Sequence, residues 1–361
     1  MGQTDRQLKM LMIHGIGKHV PGYSGQFTEH LMPALGLATR KTTIKEIVLR
    51  DPTVSEGPLG VLNVSRYTNK AQSRSLLFYE LTWSANTEQE KRIIEFDDAT
   101  EHTFRRASIN ALLKKFINSH LSDSLIFLGE PHLAILTSVR QSFCWMVEGD
   151  WGDLADTSNR TCDPFDSGHV KHLKDDDFVI ITHSLGSRIA IDTLEYFGDL
   201  SATTPDPSQL AGKAVLAGKD FRVYMLANQL PLLEMGQPRA EVRRQVDAYC
   251  RPGGADFDRR ILGSMSLFAF SDPNDILSYP IPPKFVDSYV DSRLCPIATN
   301  ISINVAQPVS VFGLGEFADP ADAHSGYDHD DRVIALIAQG IGQPVTSEIV
   351  QQRCVWLETT D

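Results

Sequence analysis

The segment DDDFVIITHSLGSRIAIDTL, residues 175–194, decides the fold. An apolar run ends at Thr182, Ser184 follows in a tight turn, and a helical pattern begins immediately afterwards. A serine in such a strand-to-helix turn is a nucleophile elbow, in which a strained backbone lifts the hydroxyl above the edge of the sheet. The turn also directs the first N–H groups of the helix toward a developing negative charge. Gly186 is the small residue that the turn needs, whereas the β-branched Thr182 departs from the G-x-S-x-G pattern.

Short apolar runs alternate with helical patterns along most of the remaining chain. This alternation predicts an α/β fold with a mainly parallel central sheet and helices on both faces. We expect one domain over residues 1–361, because no internal repeat or low-complexity tract divides the sequence. Strands are predicted at residues 8–13, 44–49, 76–83, 178–182, 222–227, 266–270 and 301–311, and helices at residues 25–39, 185–197 and 332–339.

The alternation is interrupted once, between Trp83 and Asp177, where more than 90 residues contain helical patterns and no good strand. We therefore expect a helical insertion over residues 85–170, which is either a mobile lid or a set of helices packed on the core. The first pattern, over residues 104–117, has one apolar stripe and a basic remainder: the stripe is Ile109, Leu112, Leu113, Phe116 and Ile117, and the bases are Arg105, Arg106, Lys114 and Lys115. The second stripe comprises Ile135, Leu136, Val139, Phe143 and Met146.

Composition excludes several classes of protein. With 46 acidic and 34 basic residues the net charge is −12, which disfavours nucleic acid as a primary ligand. The five cysteines are widely spaced and form no C-x-x-C pair, so neither a zinc ribbon nor a dense disulfide framework is expected; a reducing compartment fits best, with one bridge allowed. The amino-terminal apolar stretch is too short for a signal peptide, and no run of ~18 apolar residues follows. These features predict a cytoplasmic location.

Two further parts of the chain could supply the other groups that a serine nucleophile needs, namely an oxyanion donor and an acid–histidine pair. Residues 14–17 (H-G-I-G) follow the first predicted strand, and this turn can supply a backbone N–H opposite the elbow. Together with the N–H of Leu185 it would form an oxyanion hole. An acid and then a histidine are expected later in the chain, because the acid holds the histidine in the tautomer that accepts the serine proton.

For the acid, the loop after the strand at 266–270 offers Asp275 and Asp272, and Asp275 is favoured because Asp272 in S-D-P-N suits a turn. For the base, the polar segment before the last helix offers His324 and His329. His324 is favoured, because His329 stands beside the predicted start of the helix, where a solvated or capping role is expected. His183 is expected to pack beside the elbow rather than to act as a base.

The ordered motifs H-G-I-G, T-H-S-L-G, D-P-N-D and H-S-G-Y resemble those of serine hydrolases of the α/β-hydrolase superfamily, in its lipase- and esterase-like branch. The segment F-Y-E-L-T-W-S at residues 78–84, followed by a long helical insertion, is similar to a bacterial lipase-like group. The resemblance covers roughly three-quarters of the chain and implies an α/β-hydrolase fold. It also implies that Ser184 is the nucleophile, Asp275 the acid and His324 the base, with oxyanion N–H groups from Ile16 and Leu185.

The expected activity is hydrolysis of a carboxylic ester through an acyl-enzyme, without metal or organic cofactor. The basic amphipathic segment 104–117 favours a lipid or acyl ester and a transient contact with a membrane surface. A thioesterase, amidase or deacetylase of the same fold is the alternative within the enzyme class. A non-catalytic protein that uses the same pocket for binding is the alternative outside it.

Overall fold

A computed structural model describes residues 7–38, 44–71, 73–99, 107–129, 131–154, 157–158, 163–166, 168, 170–203, 209–311, 315–340 and 355–358. It has a mixed α/β fold built on one large sheet. The strands, in chain order, are β1 (Leu8–Ile13), β2 (Ile44–Leu49), β3 (Gly60–Thr68), β4 (Ser75–Thr82), β5 (Thr157–Ser158), β6 (Asp177–His183), β7 (Asp220–Leu226), β8 (Ser264–Ser271), β9 (Pro296–Ser302), β10 (Val309–Val311), β11 (Gly315–Phe317) and β12 (Val355–Glu358).

Helices cover both faces of this sheet. They are α1 (Gly25–Ala34), α2 (Glu88–Ala99), α3 (Ser108–Phe116), α4 (Ser122–Phe127), α5 (His132–Glu148), α6 (Val170–Asp175), α7 (Gly186–Thr203), α8 (Leu210–Leu216), α9 (Leu230–Leu233), α10 (Val246–Cys250), α11 (Phe285–Tyr289), α12 (Pro320–Ser325) and α13 (Asp331–Gln339). A π-helical turn, Ile117–Leu121, joins α3 to α4.

Within the described residues the strand order of the sheet is β12-β9-β8-β7-β6-β1-β4-β3-β2-β5. The six strands from β9 to β4 are mutually parallel, whereas β3 is antiparallel to both β2 and β4. After β1 the chain builds the β2–β4 side first and then returns to place β6 on the other side of β1. This reversal makes the carboxyl ends of β1 and β6 a topological switch point, where open α/β sheets bind ligands.

The strand β1 shows why the sheet is covered on both faces. Its alternate side chains enter two separate hydrophobic cores: Leu11 and Ile13 pack with the core that contains α5 and α7, and Met10 and Met12 pack with the core that contains α1 and α13. A strand buried on both faces reads as a continuous apolar run, as L-K-M-L-M-I nearly does. Its Lys9 is buried and is compensated by Asp176, with 2.7 Å between Nζ and Oδ2.

The predicted insertion at 85–170 divides into two parts. From Ile135 to Glu148, α5 is buried on nearly all sides and packs against α7, β1 and β4, so this helix is a core element of the sheet's covering layer. By contrast, the part from α2 to the start of α5 carries exposed large apolar side chains. Among the described residues of the whole insertion, one two-residue strand, β5, occurs beside the helices, and it pairs with β2 at the edge of the sheet. The side chains of Arg105, Arg106, Ile109, Leu112, Leu113 and Phe116 lie outside the described residues.

Four strands, β3, β5, β11 and β12, were not predicted, and one predicted strand is divided. The strand β3 was not predicted, because Asn63, Ser65 and Arg66 interrupt its apolar pattern, although it pairs along its length with β4. The single strand predicted at 301–311 is divided between β9 and β10. Between them the N–H groups of Val305 and Ala306 bond to the side chain of Asp272 instead of a neighbouring strand, and Pro308 has no N–H to donate.

A disulfide joins Cys250 on α10 to Cys295 just before β9, and Cys144 on α5 is also disulfide-bonded. Disulfides persist mainly in oxidising compartments, so these bridges go against the reducing compartment expected from cysteine spacing. Among the described helices, none combines the length and the apolar character that crossing a bilayer requires.

Candidate active site

The elbow at Ser184 has the geometry expected of a nucleophile. Ser184 has a φ of 55°, a left-handed conformation that is uncommon for a residue with a side chain. Its N–H donates to the carbonyl of Leu226 at 2.8 Å, which fastens the turn to β7, and its own carbonyl accepts from the Ser187 N–H in the first turn of α7. The Ser184 side chain is buried, and its Oγ has no hydrogen-bond partner among the described residues.

Two glycines allow the end of β1 to approach the elbow closely. A Cβ added at Gly15 would lie 2.5 Å from Cβ of Ser184 and would collide with the carbonyl of His183. A Cβ added at Gly186 would lie 2.7 Å from the carbonyl of Ile13. Both distances are shorter than real Cβ contacts, so a side chain at either position would push the two segments apart. Gly15 and Gly186 thus both allow the end of β1 and the loop after it to lie against the elbow.

Two backbone N–H groups near the elbow, those of Ile16 and Leu185, are the ones predicted to donate to an oxyanion. The residues Ile16 and Leu185 are both buried, and in the part of the chain that the structure describes neither N–H has a hydrogen-bond partner. Unpaired buried N–H groups are rare in folded proteins, because each costs about 1–3 kcal/mol. One N–H belongs to the residue after Ser184, and the other to the loop that touches Ser184.

The side chains of Asp275 and His324 are in contact. Nδ1 of His324 lies 3.0 Å and 2.9 Å from the two carboxylate oxygens of Asp275. Since an ionised carboxylate only accepts, Nδ1–H is the donor, and in the neutral form of the ring the lone pair is on Nε2. That Nε2 is buried and has no partner among the described residues. Burial alone would raise the pKa of Asp275, but the hydrogen bond from His324 and the Leu277 N–H hold it below its usual value, so the carboxylate stays ionised.

His183 links the elbow to the segment that carries His324. Its Nε2–H donates to the carbonyl of His324 at 2.8 Å, and the two rings lie 5.1 Å apart between centroids. Burial, together with the neighbouring His324, lowers the pKa of His183 to about 3, so its ring stays neutral and the hydrogen bond persists at ordinary pH. This hydrogen bond fixes the backbone of His324 to His183, the residue that precedes Ser184. His183 thus packs beside the elbow, as predicted.

Neither competing residue joins this group. Asp272 is buried, but its oxygens accept from the N–H groups of Val305, Ala306 and Asn274, which ties the loop after β8 to the loop after β9. His329 is half-exposed, and its Nδ1 lies 2.6 Å from the adjacent Asp328. The structure thus brings His324 together with Asp275 and leaves Asp272 and His329 in other roles.

The sequence analysis missed the residues that hold the loop after β1. His14 is buried between the rings of His19 and Trp83, and its Nε2 accepts from the Trp83 N–H at 3.0 Å. Glu80 is buried, and its carboxylate accepts from the N–H groups of Gly22 and Ser24 at 2.6 and 2.9 Å. A carboxylate inside an apolar strand was the available signal for Glu80, because a buried charge must have partners.

One cluster of potential metal ligands lies elsewhere. Among the described residues, Asp150, Asp153 and His172 bring ligand atoms within 4.8 Å of one another. They lie near Lys9 and Asp176, at the amino edge of the sheet, whereas Ser184 lies at the carboxyl edge. The ammonium of Lys9 is 3.9 Å from Asp150, which disfavours a second cation there.

Comparison of the chain with protein-family models, with curated proteins and with solved structures found no match. The functional argument therefore depends on the geometry of the site.

Proposed function

We propose that this protein is a serine hydrolase of the α/β-hydrolase type that cleaves carboxylic esters. The observation that carries the proposal is a strained, buried Ser184 with an unpartnered hydroxyl, in a site that also holds the His324–Asp275 pair. The parallel sheet, the switch point between β1 and β6, and the chain order Ser184, Asp275, His324 support the same assignment.

In the proposed reaction, Nε2 of His324 takes the hydroxyl proton as Oγ of Ser184 attacks the acyl carbon. The carbonyl oxygen becomes an oxyanion, which accepts from the N–H groups of Ile16 and Leu185. When the intermediate collapses, the ester C–O bond breaks and the imidazolium protonates the departing alkoxide. Water then attacks the acyl-enzyme, with its proton passing to Nε2, and the carboxylic acid leaves as Ser184 recovers its proton.

Each residue has a separable contribution. The Asp275 carboxylate keeps the His324 proton on Nδ1 and stabilises the imidazolium that forms. The two N–H groups act on a charge that exists only in the transition state and intermediate, so they lower the barrier rather than the substrate affinity. No atom in this scheme needs a cofactor.

Hydrolysis of short p-nitrophenyl esters tests the proposal. His324→Ala should lower kcat by at least about 10³-fold, because the serine hydroxyl is a poor nucleophile without its base. His329→Ala is the matched control, a histidine five residues away without contact to Asp275, and should leave kcat within about 3-fold. Equal effects of the two substitutions, or no turnover by the wild type on ester, thioester or amide panels, would contradict the proposal and favour a binding protein.

We further propose that the substrate is an acyl lipid presented at a surface. Large apolar side chains are exposed along the segment from α2 to the start of α5. The exposed residues are Ile93, Ile117, Leu125, Leu128 and Leu133. Lys114 and Lys115, on the same segment, are exposed as well. One of these apolar residues, Ile117, is two positions from Lys115, and an apolar side chain beside lysines suits an anionic lipid interface.

Charge reversal tests the lipid surface. Lys114→Glu with Lys115→Glu should weaken binding to phosphatidylserine vesicles by roughly 1 kcal/mol per charge removed, and by more for inversion. Turnover of a short soluble ester should be nearly unchanged, because the proposed triad lies on the sheet. Equal loss on both measurements would make the segment structural, and unchanged vesicle binding would return the substrate to the class of soluble esters.

A further inference from the structure

The loop that carries Ile16 is held from an unexpected direction, by the helical segment that follows β4. The Gly17 N–H donates to Oδ2 of Asp123 on α4 at 2.6 Å. The other oxygen of that carboxylate lies 2.7 Å from Nζ of Lys91 on α2. The Asp123 side chain is fully buried and that of Lys91 nearly so, although both belong to the segment that also carries exposed apolar residues.

The position of this contact matters, because Gly17 follows Ile16 directly. A hydrogen bond to the N–H of Gly17 fixes the peptide plane between the two residues, and with it one side of the Ile16 backbone. The other side is fixed by the close approach of Gly15 to Ser184. An oxyanion hole works only if its donors are already aimed at the place where the charge develops.

The charge balance matters as well. A buried carboxylate close to the oxyanion hole would repel the developing oxyanion and would be costly to bury alone. The Lys91 ammonium neutralises it, so that Asp123 can act as a strong acceptor without opposing the charge formed at the substrate.

On these grounds we propose that Asp123 and Lys91 are positioning residues for the oxyanion hole, and that the helical segment from α2 to α4 is thereby coupled to the catalytic centre. Asp123 holds the loop through Gly17, and Lys91 holds and neutralises Asp123. Displacing this segment would release the donor of Ile16. This inference rests on the proposed function for its catalytic consequence, whereas the positioning itself is independent of any reaction.

Two double variants isolate the hydrogen bond from the charges. Lys91→Met with Asp123→Asn removes both charges and keeps an oxygen that can accept from Gly17. Lys91→Met with Asp123→Ala removes both charges and the acceptor. Since neither leaves an unpaired buried charge, both should fold. Glu88→Gln is the matched control, because it breaks an exposed contact between the same loop and α2, with 3.6 Å from Nζ of Lys18 to the Glu88 carboxylate.

Two measurements should separate the variants. In amide hydrogen exchange, the peptide that contains residues 14–18 should exchange at least about 10-fold faster in the alanine double variant than in the asparagine one. In steady-state assays with active sites counted by a fluorophosphonate label, kcat should fall at least 10-fold in the alanine variant with KM little changed, since loss of one oxyanion donor costs about 10²–10³. Glu88→Gln should stay within about 3-fold of wild type, and the asparagine variant should keep a higher kcat than the alanine variant.

The outcomes are distinguishable. Equal exchange and equal kcat in the two double variants would overturn the inference. Faster exchange with unchanged kcat would leave Asp123 as a structural anchor and overturn its role in the oxyanion hole. If the wild type carries no label at Ser184 and has no turnover, the proposed function fails, and the exchange measurement alone decides whether the pair positions the loop.

Discussion

Asp272 and Asp275 are three residues apart, and changing each to asparagine is predicted to affect a different property. Asp275→Asn should lower kcat, and Asp272→Asn should lower the free energy of unfolding. Both lie on the loop after β8 and both are buried. Asp275 contacts the ring of His324, whereas Asp272 binds only backbone and side-chain N–H groups. The pair therefore separates catalytic from structural function within a single loop.

Asp275→Asn should act on catalysis. An asparagine that keeps its oxygen for the Leu277 N–H turns its NH₂ toward Nδ1 of His324. Nδ1 must then accept, the proton moves to Nε2, and the ring can no longer take the proton of Ser184. A wrong tautomer of this kind lowers kcat by about 10⁴-fold. Because the pKa of Asp275 is held below its usual value, the stability that its carboxylate adds is present at neutral pH and is lost only as the pH falls through the folded-state pKa.

Asp272→Asn should act on stability. Its Oδ2 accepts from Val305 and Ala306 at 2.7 and 3.0 Å, and its Oδ1 accepts twice from Asn274. In Asp272→Asn, an NH₂ group in place of Oδ2 would face the N–H groups of Val305 and Ala306, and a donor cannot accept from them. Two hydrogen bonds to a charged acceptor are lost, each worth about 1.5–3 kcal/mol, so the free energy of unfolding should fall by roughly 3–6 kcal/mol.

Urea denaturation and kcat per labelled active site measure the two quantities separately. We expect Asp275→Asn to lose activity with a small change in stability, and Asp272→Asn to lose stability with kcat per folded molecule within about 3-fold of wild type. If Asp272→Asn abolished kcat in fully folded protein while Asp275→Asn retained it, the assignment of the acid would be refuted.

Two other perturbations test a buried carboxyl group on α7 and the close approach of Gly15 to the elbow. Burial raises the pKa of Glu195 to about 8, so the folded state holds a proton that the unfolded chain releases near pH 4.5. The free energy of unfolding should therefore fall as the pH rises between these values, by up to about 1.4 kcal/mol per pH unit. Glu195→Gln keeps the acceptor for the Asp291 N–H, so its thermal unfolding at pH 6 and at pH 8 should differ less than that of the wild type, and an equal difference would contradict the assignment. Gly15→Ala places a Cβ 2.5 Å from that of Ser184, so the loop must shift at a cost of about 1–3 kcal/mol. As a result, kcat should fall at least 10-fold with KM little changed. Unchanged kinetics would show that the close approach is not needed.

The sheet was predictable from local pattern, because strands buried on both faces leave unbroken apolar runs. The bounds predicted for β1 and β2 agree with the structure to the residue, and the strand, turn and helix around Ser184 lie where the motif placed them. The strand β3 carries too many polar residues for the same criterion. Helix α5 was included in an insertion that was expected to be either a lid or packed on the core, because the sequence shows an apolar stripe but not the surface that covers it.

The supports of the site could not be predicted, because their partners are distant in sequence. Gly17 and Asp123 are 106 residues apart, and His183 and His324 are 141 apart. Neither contact has a periodicity or a motif, since it depends on how the loops at one edge of the sheet pack together. Local sequence identifies the residue types that chemistry needs, and tertiary packing determines which of them meet.

Covalent labelling of Ser184 tests the central claim most directly. A fluorophosphonate reacts when Oγ attacks phosphorus and fluoride leaves, which requires both an activated hydroxyl and donors for the phosphoryl oxygen. We predict one label per chain, located on Ser184 by peptide mass spectrometry, absent in Ser184→Ala and slowed by at least about 10³-fold in His324→Ala. A folded wild-type protein that takes no label, or takes it at another serine, would contradict the account.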